Sequence, residues 1–509
     1  MIKRWFYGVV ILGYACLVCL PHIAFTQRGD WSMAGNSPDR SGWQKAEKKL
    51  TPESVPSKFQ FLWKINLGTP AKASQTYSEP LLLSRMITSQ GFKDFVYVTS
   101  SDTLYAVDSE LGNLLWKKEY DLHQPVCGRP SLQMILEPPA VINFNARRAP
   151  NAPPPPTPAP IAPSKRRIGI AAGGGGYGLK GVYVLASDGL LHEQVVTTGV
   201  DYAPAIKFLP HAASPSGLNM VGKTIYASTS AACGVPGGVW AINMTSADYP
   251  VAHYDIPKGG ALAGMEPTLA PDGTAYVLTA AGPSNPSSDF HADSVVGLGS
   301  KLKVKDWFTA RGSSVAMSPI VFSYKGRQLV AAAGKDSLVL LDAASLGGKD
   351  HHTPLSETTT LTKGAAKHGW DGLASWQETD GTTWVIASVS NPVSIVGLEG
   401  TTAHGAIVGF RVDDADGKPL LTPAWISEDM VNPAPPRIAN GVVVALAGGN
   451  AITHAKLLVL DAKTGRELYS SKDRIPTYAN RSGVALGDSH AFFTDHNNVL
   501  YSFGIALEH

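Results

Sequence analysis

Apolar and polar positions along this chain alternate in a pattern that returns eight times. The five-residue cores are LYAVD (104–108), VYVLA (182–186), VWAIN (239–243), VVGLG (295–299), LVLLD (338–342), IVGFR (407–411), LLVLD (457–461) and LYSFG (500–504). Each is bracketed by Gly, Asp, Asn or Ser, and most follow a second apolar run such as DFVYVTS (94–100), KTIYAS (223–228), TAYVLT (274–279) or TTWVIAS (382–388). Runs of this kind between turn residues read as strands. The unit is a short antiparallel meander that cannot bury both faces alone, so copies must stack. The first and eighth cores end 396 positions apart, about 57 residues per unit, enough for a four-stranded blade with its loops. The pattern predicts an all-β fold, an eight-bladed β-propeller of four-stranded antiparallel blades.

The chain ends predict how the ring closes. FQFLWKINL (59–67) has no hairpin partner beside it, and the last unit, SHAFFTDHNNVLYSFGI (489–505), stops one strand short. Pairing the two leaves no open edge, so the N-terminal strand is expected to complete the final blade. Residues 27–56 read as a polar, punctuated arm leading into a propeller over 57–509. A Pro-rich stretch, Ala149 to Pro163, interrupts the second unit between an inner strand near Pro130–Ile135 and IGIAAGG (168–174). Such a run favours polyproline II and reads as an exposed loop, with a ligand for a Pro-binding partner as the alternative. GGGGYG (173–178) lacks the following helix that a phosphate loop needs.

Composition then narrows the class. A chain that is 44% apolar and 17% charged, with 51 Gly and 37 Pro, is a turn-rich β protein. Its 43 basic and 41 acidic residues are interspersed, which removes the electrostatic case for nucleic acid. Lys3 and Arg4 precede the apolar run Gly8 to Leu20, and Ala24-Phe25-Thr26 offers small residues for cleavage, so residues 1–26 are expected to be a signal peptide. The run is short for a bilayer span, and a retained anchor or lipid attachment at Cys16 are the alternatives. A periplasmic or secreted location follows. In that oxidising setting Cys127 and Cys233 remain, in neither a CxxC nor a haem-attaching CxxCH. The loop into an inner strand and the loop between the second and third strands share one propeller face. Both cysteines therefore open on one side, two blades apart, as a disulfide or as two separate thiols.

Candidate chemistry lies where the inner strands begin. Each unit opens there on an x-Pro or x-Gly pair: Glu79-Pro80, Arg129-Pro130, Ala203-Pro204, Glu266-Pro267, Ser318-Pro319, Asp371-Gly372, Ala434-Pro435 and Ser482-Gly483. Proline is tolerated because the innermost strand is an edge. The preceding residue is expected to ring the channel mouth, which gathers Glu79, Arg129, Glu266 and Asp371 beside Trp370 and Arg481. Three carboxylates suit a hard cation, and two guanidinium groups beside an indole suit an anionic ligand. The plainer reading is a solvated rim. His351, His352, His368 and His404 lack the spacing of a zinc site.

One turn carries a longer signature, Ala106-x-Asp108-x-x-x-Gly112-x-x-x-Trp116. Asp and Gly make the tight turn between the two outer strands, and Trp packs against the neighbouring blade. With this spacing, residues 58–506 or so resemble the PQQ-like repeat of the quinoprotein alcohol dehydrogenase-like propellers and their noncatalytic relatives. The seventh unit keeps Asp461 and Gly465 but has Val459 and Tyr469 for Ala and Trp; the fifth keeps Asp342 with the glycine shifted to Gly347. Trp63 and Trp425 look like further girdle residues. For catalytic members the resemblance implies pyrroloquinoline quinone held with a divalent cation such as Ca2+ at the mouth, an Asp base and often a vicinal disulfide. No adjacent cysteine pair follows the signal, and no haem motif is present. The expectation is an exported, monomeric propeller acting as a binding or assembly scaffold in the cell envelope, with an envelope protein or a small molecule at its channel mouth. The alternative is a pyrroloquinoline quinone- and calcium-dependent dehydrogenase oxidising an alcohol or sugar.

Overall fold

The computed structural model describes residues 29–506 apart from 69–76, 89–90, 123–129, 138–180, 212, 233, 265, 281, 283–289, 311–316, 335–336, 359–368, 391, 396–397, 399 and 481. The expected signal peptide, the Pro-rich stretch, Arg129, Arg481, Cys127 and Cys233 lie outside the described residues.

Eight four-stranded antiparallel sheets form the blades. From axis to rim, blade 1 runs Leu81–Thr88, Gly91–Thr99, Thr103–Asp108, Leu114–Glu119, and blade 2 runs Leu132–Leu136, Gly181–Ala186, Leu190–Val195, Asp201–Lys207. The inner strands of blades 3 to 7 are Ser214–Val221, Thr268–Leu269, Ile320–Tyr324, Gly369–Gln377 and Arg437–Ala439. Blade 8 begins at Ala485–Gly487 and is completed at the rim by Phe59–Asn66. This closing strand pairs with Val499–Ile505, Phe59 opposite Ile505 and Asn66 opposite Val499, as the orphaned strand in the sequence predicts.

Blade 2 departs from the sequence reading. VYVLA is its second strand, paired directly with the inner strand through Leu132 opposite Ala186, whereas the other seven cores are third strands. Period alone cannot tell a second strand from a third, because both are buried apolar runs. A related shift affects Ala203-Pro204, which lies in the outer strand of blade 2; the inner strand of blade 3 opens at Ser214-Pro215.

Neighbouring blades meet through a repeated dock. Trp63 Nε1 donates to the Ser109 carbonyl at 2.8 Å, Trp116 Nε1 to Val196 at 3.2 Å and Trp425 Nε1 to Ala462 at 3.0 Å. Each indole lies on the turn glycine of the next blade, Gly112, Gly199 or Gly465, all near φ +70, where a Cβ would drive into the ring. Glycine is needed twice there, for the left-handed backbone and for the close approach. At the junction of blades 7 and 8, Tyr469 packs edge-on against Phe59 at 4.9 Å. Strand register puts Ala203, Ala252, Asp306 and Ser356 in the corresponding position of blades 2 to 5.

The arm is the larger surprise. Composition made it a polar lead-in, yet Trp31, Met33, Leu50 and Val55 are buried. It enters the ring axis between blades 8 and 1 and touches the inner strand of every blade. Trp31 exchanges backbone hydrogen bonds with Leu82; Ser32 accepts from Leu136 N, Pro38 from Leu269 N, Asp39 from Val321 N, Ser41 from Ser375 N and Gly42 from Ile438 N, all at 2.8–3.1 Å. Asn219 Nδ2 reaches Pro38 O at 3.0 Å in blade 3, and Gln44 Nε2 reaches Leu486 O at 3.1 Å in blade 8. Inner strands are otherwise unpaired edges, and the arm satisfies part of each.

Candidate functional site

The mouth residues that lie among the described positions sit above this arm. Glu79 is buried, and its two oxygens are divided. Oε1 accepts from Trp31 Nε1 at 2.8 Å and from Gly35 N at 3.1 Å; Oε2 pairs with Arg437 Nη2 at 2.6 Å. Arg437 also donates through Nε to the Val484 carbonyl at 2.9 Å and lies 5.6 Å over the Trp31 ring. A Cβ on Gly483, at φ +99, would press into the Glu79 carboxylate and the Arg437 guanidinium, which explains glycine in that opening pair. A buried pair adds little net stability, but removing one partner strands the other; we expect Arg437→Met to cost about 3–5 kcal/mol.

Glu266 faces a second guanidinium, that of Arg40 in the arm, with Nη1 at 2.9 Å. Burial pushes its carboxyl above the usual range; Arg40 and Arg437 oppose that shift and Glu79 adds to it. Glu79 and Glu266, expected from blades 1 and 4, therefore do share one electrostatic neighbourhood. Asp371 pairs with Ser390 Oγ across blade 6. Trp370 turns away from this polar group into the apolar cluster of blades 5 and 6, with its Nε1 unpartnered. Three contributors were missed in the sequence: Trp31, Arg40 and Arg437. For the arm the only prior signal was two tryptophans and a methionine in a stretch otherwise read as a polar lead-in.

The mouth carboxylates, which as a set of three would suit a hard cation, are otherwise engaged among the described residues. Among the described residues no group of three His, Cys, Asp or Glu side chains is placed to hold a metal ion, and the mouth carboxylates are engaged by an indole, an amide, guanidinium groups and a hydroxyl. His351 instead stacks on Trp307 at 3.6 Å, with His291 on the opposite face at 3.8 Å, on the outer strand of blade 4. A cleft of about 330 Å³ opens near the rim of blades 3 and 4, lined by His253, Tyr254, Pro257, Phe290 and Leu302.

At the opposite end of the ring, where hairpins join first to second and third to fourth strands, carboxyls crowd the junction of blades 8 and 1. Burial, reinforced by Asp94 and Asp488, raises Glu110 to about 7, and burial together with Asp94 raises Asp488 to about 7. Asp94 is raised mainly by burial too. Asp30 is held by Ser84, whose N and Oγ each donate at 2.8 Å. His490, buried beneath them, is pushed down by desolvation.

No protein-family model matches the sequence, and no curated protein matches it. Among solved structures, a europium-containing methanol dehydrogenase aligns over 94% of this chain and 98% of its own, with TM-score 0.56 and 11% identity. The quinohemoprotein alcohol dehydrogenase ADHIIG from Pseudomonas putida HK5 aligns over 94% of this chain and 81% of its own, with TM-score 0.58 and 12% identity. BamB from Moraxella catarrhalis aligns over 88% of this chain and 99% of its own at 11% identity, but its TM-score of 0.32 carries no argument. The fold is the eight-bladed propeller of the quinoprotein alcohol dehydrogenases, consistent with the PQQ-like resemblance. At such identities the likeness is one of fold, and fold does not fix chemistry.

Proposed function

We propose that the chain is an exported propeller that serves as a binding scaffold in the cell envelope, and that it does not oxidise alcohols or sugars. The observation supporting this reading is that the arm occupies the axis beneath the mouth and engages Glu79 and Glu266, two of the three mouth carboxylates that the sequence offers as cation ligands. The partner at the mouth is an envelope protein or a small anionic molecule, and Arg129 and Arg481, which the sequence assigns to the mouth and which lie outside the described residues, are the groups proposed to recognise it. Mixing the protein with pyrroloquinoline quinone and Ca2+ is expected to give the sum of the separate absorbance spectra and no dye reduction with alcohols or sugars. Turnover would establish the dehydrogenase reading instead. For an anionic ligand, Arg129→Ala combined with Arg481→Ala should remove the calorimetric signal with little change in the melt; an unchanged titration rejects the mouth as the site.

A further inference from the structure

The junction of blades 3 and 4 has lost both halves of the dock. Ala252 stands opposite Ala241, where blade 1 sets Trp116 opposite Ala106. The turn of blade 4 is also one residue shorter: Gly299 N donates to Lys303 O, whereas Asp108 N donates to Asn113 O. Leu302 takes the place of Gly112, its N donating to Gly299 O as that of Gly112 donates to Asp108 O, and its φ is +56 against +70. A left-handed backbone is costly for leucine, and such conformations collect at ligand clamps and other functional sites. An alanine and a leucine together fill less space than a tryptophan and a glycine. At this junction lies the cleft of about 330 Å³, with Leu302 in its wall. That volume is in the range of small-molecule sites.

The lining says what kind of molecule fits. Tyr254, Phe290 and Leu302 are buried side chains that give the cleft an apolar floor with two aromatic rings. Asp255 of blade 3 and Lys303 of blade 4 bring opposite charges to it from its two sides. Asp255 Oδ2 lies 3.3 Å from His253 Nε2, and the His253 ring stacks on Trp240 at 5.1 Å, which steadies that side. An aromatic floor takes a ring, a carboxylate takes an ammonium group, and a lysine takes a carboxylate. Ring, ammonium and carboxylate in one small molecule make an aromatic amino acid. The docks point to an indole in particular. Trp63, Trp116 and Trp425 each donate Nε1 to a carbonyl in the turn after a third strand, that of Ser109, Val196 or Ala462, and the counterpart in blade 4 is the Ser300 carbonyl. We infer that the cleft between blades 3 and 4 binds a free aromatic amino acid such as tryptophan, its ring taking the part of the missing dock, its ammonium at Asp255 and its carboxylate at Lys303. None of these residues belongs to the mouth, so this site stands or falls apart from the scaffold reading.

Saturation-transfer NMR on the purified protein tests this, with L-tryptophan as the probe and L-alanine as the control. The ring protons of tryptophan should receive saturation and alanine should not. Asp255→Asn combined with Lys303→Gln should weaken tryptophan binding roughly tenfold or more while the thermal melt stays in place, since both side chains are exposed. Ala252→Trp combined with Leu302→Gly rebuilds the dock and should remove the signal. A parent protein that gives no transfer to tryptophan overturns the proposal. Equal binding by the parent and the charge variant overturns it too, because the amino acid would then sit elsewhere, and so does binding retained by a folded protein with the rebuilt dock.

Discussion

The two halves of the rim solve the same packing problem differently. From blade 6 through 7, 8 and 1 to 2, the docking position holds Trp425, Tyr469, Trp63 and Trp116, and the apolar core of blades 7, 8, 1 and 2 is one continuous cluster that includes Trp31 of the arm. From blade 2 through 3, 4 and 5 to 6, the position holds Ala203, Ala252, Asp306 and Ser356, and the core breaks into separate clusters, one at each junction. Only Asp306 of these four keeps a dock-like bond, accepting from Leu346 N at 2.8 Å in the next blade. The aromatic half contains the seam where the chain ends meet. A ring is held by covalent continuity everywhere except at that seam, so aromatic burial is concentrated around it.

Removing the closing strand is the severest way to test this division. Deleting residues 57–68 takes away Trp63 and the partner of Val499–Ile505 together, and cooperative unfolding in denaturant should be lost. A truncated protein that melts like its parent would show that the seam is not where the ring is held.

Next comes the dock itself. Trp425 is buried, and Trp425→Ala should cost about 3–5 kcal/mol, with Trp116→Ala somewhat less because that indole is half-exposed. Tyr469→Phe should be mild, since it preserves the edge-on ring contact. Equal losses in all three variants, read from urea melts, would mean that the docks do not rank as their burial does.

A titration sharpens the seam further. Asp94, Glu110 and Asp488 have folded-state pKa values above those of an unfolded carboxyl, with Glu110 and Asp488 near 7. The folded chain thus holds these protons more tightly, and the stabilisation is full below about pH 4 and lost as pH rises through about 7. Stability should fall by on the order of 1–2 kcal/mol between pH 5 and 8, after discounting for partial exposure. Asp488→Asn should flatten that slope. A slope that is unchanged in this variant places the titration elsewhere.

The smallest effect belongs to the other half. Ser356 stands in the docking position of blade 5 with its Oγ buried and unpartnered. Ser356→Ala should leave stability within about 0.5 kcal/mol, or raise it slightly. A loss comparable to that of Trp116→Ala would erase the distinction between the halves.

Legibility followed the range of the interactions. Blade number, four-strand pairing and the closing strand could be read because each rests on local apolar runs and one missing partner at each end. Trp116 was readable because its turn signature, complete only there, is eleven residues long, and Trp63 and Trp425 because a tryptophan recurs where that signature places one. VYVLA and Ala203-Pro204 were placed one strand off because burial looks alike in neighbouring strands. The hub was illegible for a different reason. Glu79 and Arg437 are separated by 358 positions, and the arm's polar composition reflects the backbone edges and carboxylates it meets rather than water.

The path of the arm also bears on how the molecule comes into being. Residues 29–44 leave the ribosome near the beginning of synthesis, yet their last hydrogen-bonding partners, Ile438 and Leu486, are made near the end, and Phe59–Asn66 waits for Val499–Ile505. Throughout translation the spindle exists without its wheel. Nascent chains therefore stay open until the last blade is made, and a premature stop before the final strand leaves Phe59–Asn66 without its partner, a substrate for proteolysis rather than a smaller working propeller.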